Sequence, residues 1–101
     1  MADKVATSSV LMTHAVGLHA RPSVKLTKLA KSFGCRIEMA QQAAGPWIDA
    51  KSIVKVMAMK ARRDTTLHFR AEGDGAADAV DALSELVQRN FDEDHADAPA
   101  P

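Results

Sequence analysis

The spacing of hydrophobic positions switches between two periods along the chain. From Cys35 to Ala40 (CRIEMA), Ile37 and Met39 alternate with Arg36 and Glu38. From Thr65 to Ala71, Leu67, Phe69 and Ala71 alternate with Thr66, His68 and Arg70. Successive side chains on a strand point to opposite faces, so each segment predicts a strand with one face buried. Between Ala20 and Phe33, by contrast, Leu26, Leu29, Ala30 and Phe33 recur at helical spacing, with Lys25, Lys28 and Lys31 between them and Gly34 as the expected stop. Ala76, Val80, Leu83 and Val87 mark one face of a closing helix that runs to about Asn90. Less periodic stretches fill the order. KVATSSVLMT (4–13) is rich in Val, Thr and Ser and predicts a first strand. WIDA predicts the short partner of the 35–40 strand across the loop QQAAGP, and KSIVKVMAMK predicts a short, apolar helix. The resulting order, β-α-β-β-α-β-α, asks for an α+β fold: an open-faced two-layer sandwich, a four-stranded antiparallel sheet with three helices on one face.

Composition changes this picture little but excludes several functions. The chain has 101 residues, enough for one core, and 47% of them are hydrophobic. One domain is expected over 1–91, followed by a disordered acidic tail, DEDHADAPAP (92–101), with almost nothing to bury. Lys and Arg balance Asp and Glu at 13 each, which removes the net attraction of a nucleic-acid-binding module. The single cysteine, Cys35, cannot form an intramolecular disulfide, no signal-like N-terminal pattern is present and no apolar run is long enough to span a bilayer. A cytoplasmic protein without membrane insertion is expected.

The chemistry concentrates in VGLHARPS (16–23). Proline is tolerated only in a helix's first turn, so Pro22 requires the helix to start near Ala20 and puts His19 at or beside its N-cap. The first N–H groups of a helix lack internal acceptors and carry the positive end of its dipole, a setting that stabilises phosphate. Arg21 adds a guanidinium fork suited to phosphate oxygens, and Gly17 allows close approach of the chain. Three readings fit the local residues: a histidine as an imperfect cap, a metal ligand with His14, or a carrier of a transient phosphoryl group. No second cysteine or carboxylate cluster completes a metal site, and no nucleotide-binding loop is present, so no metal or cofactor is expected and any phosphate must come from another protein. In the short helix, Ile53, Val54, Val56, Met57 and Met59 are too many apolar residues for one buried stripe, which predicts an exposed docking patch behind a good N-cap, Ser52.

Taken together, GLHARPS (17–23), KSIVKVM (51–57) and RAEGDGAADAVDAL (70–83) resemble the histidine-containing phosphocarrier (HPr) family of the bacterial phosphotransferase system, over residues 4 to about 90. The resemblance implies an open-faced four-stranded sheet covered by three helices. It implies phosphorylation of His19 on Nδ1, with Arg21 as phosphate partner and Gly17, Ala20 and Pro22 supporting the turn. Enzyme I, charged by phosphoenolpyruvate, would be the donor and an EIIA protein or domain the acceptor. Ser52 matches a serine that a regulatory HPr kinase/phosphorylase modifies in some bacteria. Ile53, Val54 and Met57 would form the exposed docking set, Val56 a core contact, and Lys28, Lys31 and Lys55 a basic rim. A monomer is expected. Some positions depart from the family pattern: Val16 replaces a polar residue able to help cap the active turn, and Lys60 and Asp64 replace loop glycines. The route served, sugar uptake, nitrogen regulation or dihydroxyacetone kinase, is not encoded, and a docking module that keeps only the HPr surface is the alternative function.

Overall fold

The computed structural model describes residues 4–92. Strand β1 (Val5–Leu11) leads to helix α1 (Ala20–Lys31), strand β2 (Arg36–Ala40), the short strand β3 (Ile48–Asp49), helix α2 (Ile53–Met59), strand β4 (Thr66–Glu72), helix α3 (Ala76–Gln88) and a 3-10 turn (Asn90–Asp92). The strands form one antiparallel sheet in the order β1-β4-β2-β3. This is the open-faced α+β sandwich that the residue pattern predicts. The acidic segment expected as a tail lies outside the described residues apart from Asp92, which closes the 3-10 turn. Among the described residues no helix is long and apolar enough to cross a membrane.

Alternation on the strands decides what lies between the layers. Leu67, Phe69 and Ala71 of β4, Ile37 and Met39 of β2 and Val10 of β1 are buried together with Leu26 and Ala30 of α1 and Ala76, Ala79, Val80, Leu83, Leu86 and Val87 of α3. Complete burial of a Leu or Phe side chain stabilises the fold by about 1.5–3 kcal/mol. The inward-facing Ser8 is accommodated by hydrogen bonding to α3, 2.7 Å to the Ser84 hydroxyl and 3.3 Å to the Val80 carbonyl. On the uncovered face, Glu38 of β2 stands opposite Arg70 of β4 and accepts from its Nε at 2.7 Å. The Arg70 guanidinium in turn lies 4.1 Å from the centre of the Trp47 ring.

Two element ends differ from the expectation. Helix α1 stops at Lys31 rather than running to Phe33, and Gly34 is not its left-handed cap. Ser32 terminates it instead, its hydroxyl donating to the Leu29 carbonyl at 2.6 Å and its N–H to the last turn. Helix α3 ends at Gln88, and the chain then takes positive φ at Asn90, Phe91 and Asp92, which drives the fully buried Phe91 into the core. Asp92 accepts from Arg89 Nε at 2.8 Å, and the guanidinium holds its carboxyl below the usual carboxylate range. The loop after α2 turns through Lys60 (φ 52°) and Asp64 (φ 70°), conformations in which glycine is the unstrained residue. These are the two positions where the resemblance leads one to expect loop glycines, and here both left-handed turns carry side chains.

Candidate functional site

Helix α1 begins at Ala20, and His19 is its N-cap in extended conformation (φ −99°, ψ −162°). Its side chain makes no capping hydrogen bond, and the first turn holds no acidic residue. The imidazole is therefore not spent on the helix, as a passive cap would be. Pro22, buried at the third helical position, has no N–H to offer, and the N–H of Ser23 closes on the His19 carbonyl at 3.0 Å. The helix thus presents the amides of Ala20 and Arg21 at its positive end, next to a half-exposed His19 and an exposed Arg21.

The turn before His19 is fixed from two sides. Gly17 adopts φ +82° and lies so close to the loop after α2 that an added Cβ would stand 2.6 Å from the Ala61 carbonyl oxygen. Leu18 donates to that same carbonyl at 2.9 Å, and its side chain is buried. The His19 N–H donates back to the Gly17 carbonyl at 3.1 Å. On the other side, His14 is buried, with its ring centre 5.5 Å from that of His19 and 5.9 Å from that of Phe91. Lys25 of α1 donates to the Phe91 carbonyl at 2.9 Å, so the end of the described chain is tied to the helix that carries the site. Two histidines do meet here, but among the described residues no group of three His, Cys, Asp or Glu side chains could hold a metal ion.

The family model "PTS HPr component phosphorylation site" matches residues 6–89. The chain belongs to the HPr family. It is 36% identical over 84 residues to the phosphocarrier protein HPr of Pseudomonas putida, a match covering 83% of this chain and 92% of that protein. With the HPr of Cupriavidus necator it shares 40% identity over 78 residues, covering 77% and 85%. The crystal structure of HPr-C-His from Thermoanaerobacter tengcongensis superposes with a TM-score of 0.79 at 27% identity, over 87% of this chain and 97% of that one. The protein is accordingly an HPr-like phosphocarrier of the phosphotransferase system, a carrier rather than an enzyme. Membership of the HPr family implies Enzyme I and EIIA proteins as its classes of partner.

The other residues singled out in the sequence fall into two groups. Ser52 caps α2, its hydroxyl accepting from the Lys55 N–H at 3.3 Å. Beyond it, Val54 is 74% and Met57 41% exposed, Ile53 is half-buried and Val56 is fully buried. Helix α2 packs against α1, on which Lys28 and Lys31 are exposed, and Lys55 is exposed on α2 itself. His14, however, was legible in the sequence only as a possible metal ligand. Its ring packs against both His19 and Phe91, and the burial of Phe91 through left-handed backbone is announced by no hydrophobic period.

Proposed function

We propose that His19 accepts a phosphoryl group on Nδ1 from phosphoenolpyruvate-charged Enzyme I and passes it to an EIIA protein or domain. The ring's lone pair attacks phosphorus, the N–P bond forms and the bond to the donor breaks; transfer to EIIA repeats the exchange in the other direction. The observation that carries this reading is His19 at the N-cap of α1 with its side chain uncommitted to capping and no carboxylate in the first turn. A bound phosphoryl group would lie at the positive helix end, with the Ala20 and Arg21 amides and the Arg21 guanidinium as donors. Gly17 and Pro22 serve the same end by setting the turn and the helix start.

In this reading the partners dock on α2. Val54, Met57 and Ile53 supply the apolar contact, and Lys28, Lys31 and Lys55 a basic rim for acidic partner surfaces. Ser52 is then the position for regulatory phosphorylation, since a phosphate at the N-cap adds charge beside Val54 without dismantling the helix. Incubation with Enzyme I and phosphoenolpyruvate should give one acid-labile, alkali-stable phosphoryl group per chain, and His19→Ala should abolish it. Full labelling of that variant would refute the assignment of His19.

A further inference from the structure

His14 accepts hydrogen bonds from both amides that shape the turn leading to His19. The Val16 N–H donates to its ring Nδ1 at 3.3 Å, and the Gly17 N–H donates to its backbone carbonyl at 3.1 Å. The same ring, only 7% exposed, is tilted 54° against the His19 ring at 5.5 Å between centres and meets Phe91 edge-on at 70°. The contacts on its two sides differ in kind. Phe91 gives the ring a fixed apolar wall, itself tied to α1 through Lys25. Val16 gives it a directional bond that only an unprotonated Nδ1 can accept, which puts the proton of the neutral ring on Nε2.

We infer that His14 is a positioning residue for phosphoryl transfer: its ring nitrogen holds the 14–17 turn closed and so fixes where the His19 ring stands. The inference rests on His19 being the acceptor. Val16 itself has no polar side chain and is 67% exposed, so it cannot close the turn, and the bond its amide makes to His14 is the side-chain cap of this segment. The position of a reacting ring decides how often it meets phosphorus in line, so loosening the turn acts on the transfer step rather than on docking at α2.

Three substitutions separate acceptor, ring and fold. His14→Asn keeps an oxygen able to accept the N–H two residues on, the bond of an Asx turn. His14→Phe keeps a ring against Phe91 but no acceptor, and His14→Ala keeps neither. With the protein as substrate of Enzyme I, His14→Ala and His14→Phe should lower kcat by about tenfold with little change in KM, and His14→Asn should recover most of the rate. Nitrogen NMR of the wild type should show an unprotonated Nδ1 on His14, and exchange of the Val16 amide should quicken in the Ala and Phe variants but not in Asn. A His14→Asn variant as slow as His14→Ala, a His14→Phe variant as fast as wild type, or a protonated Nδ1 in the neutral ring would each overturn the acceptor role. Labelled wild type with an equally fast His14→Ala would sink this inference alone, whereas wild type unlabelled at His19 would sink the acceptor assignment and this inference together.

Discussion

Gly17 is the residue on which the geometry of the turn depends most directly. Its φ of +82° lies in the left-handed region, and a Cβ would meet backbone atoms of Ala61 and Arg62 at 2.6 and 3.1 Å, atoms that cannot swing aside as a side-chain tip could. Gly17→Ala should therefore cost on the order of 2 kcal/mol, from left-handed strain and displacement of the 61–62 loop together. For a domain of this size that corresponds to a fall of roughly 10 °C in melting temperature. It should also weaken the bond from Leu18 to the Ala61 carbonyl, seen as faster exchange of the Leu18 amide. Gly34→Ala is the matched control, since Gly34 has open space around its Cα and no left-handed φ. An unchanged melting curve for Gly17→Ala would mean that the turn relaxes away from Ala61. Proline and glycine made this turn legible in the sequence, because each restricts or frees the backbone in a way that needs no knowledge of the rest of the chain. His14 was not legible in the same way, since its meaning depends on a ring that arrives from position 91.

Helix α2 shows what a short element can and cannot declare. Seven residues make about two turns, so the apolar content of IVKVMAM shows that some side chains must face solvent, while the periodicity is too brief to say which. Packing against α1 and β3 settles it by burying Val56 and leaving Val54 74% exposed. Val54→Glu should leave thermal stability within about 0.5 kcal/mol of wild type, because nothing in the core is touched. If Val54 is a docking contact, the rate of transfer from Enzyme I should nonetheless fall by about tenfold, since the carboxylate must lose its water when the partner seats. Parallel melting and transfer assays decide it: a large loss of stability would return Val54 to the core, and an unchanged transfer rate would move the docking surface elsewhere. The Ser52 cap was legible because a serine before an apolar run has a local purpose at a helix start, whatever else it does.

At the scale of the whole molecule, the elements were readable, and so was the β2–β3 hairpin, but the neighbours of β4 were not. Alternation at 35–40 and 65–71 marks strands, yet it does not say that β4 sits between β1 and β2, because that order is fixed by pairings such as Ser8 with Phe69 and Met39 with Phe69 across long stretches of chain. The same holds for the Ser8 hydroxyl on α3 and the Lys25 ammonium on the Phe91 carbonyl. The stacked pair on the open face has a practical consequence. Trp47 is the only tryptophan and the chain has no tyrosine, so near-ultraviolet absorbance and intrinsic emission come essentially from one indole. That indole lies beneath the Arg70 guanidinium and lines a groove of about 670 Å³ shared with Lys55 and Met59 of α2. Its emission is a built-in optical probe of the sheet edge where the hairpin meets helix α2. Arg70→Ala should alter the emission of the folded protein and leave that of the urea-unfolded chain unchanged. In wild type, the urea transition followed by emission should coincide with that followed by circular dichroism, as expected for one cooperative unit. An earlier emission transition would instead reveal a hairpin edge that opens before the core, light from a single side chain reporting a step that the rest of the sheet does not share.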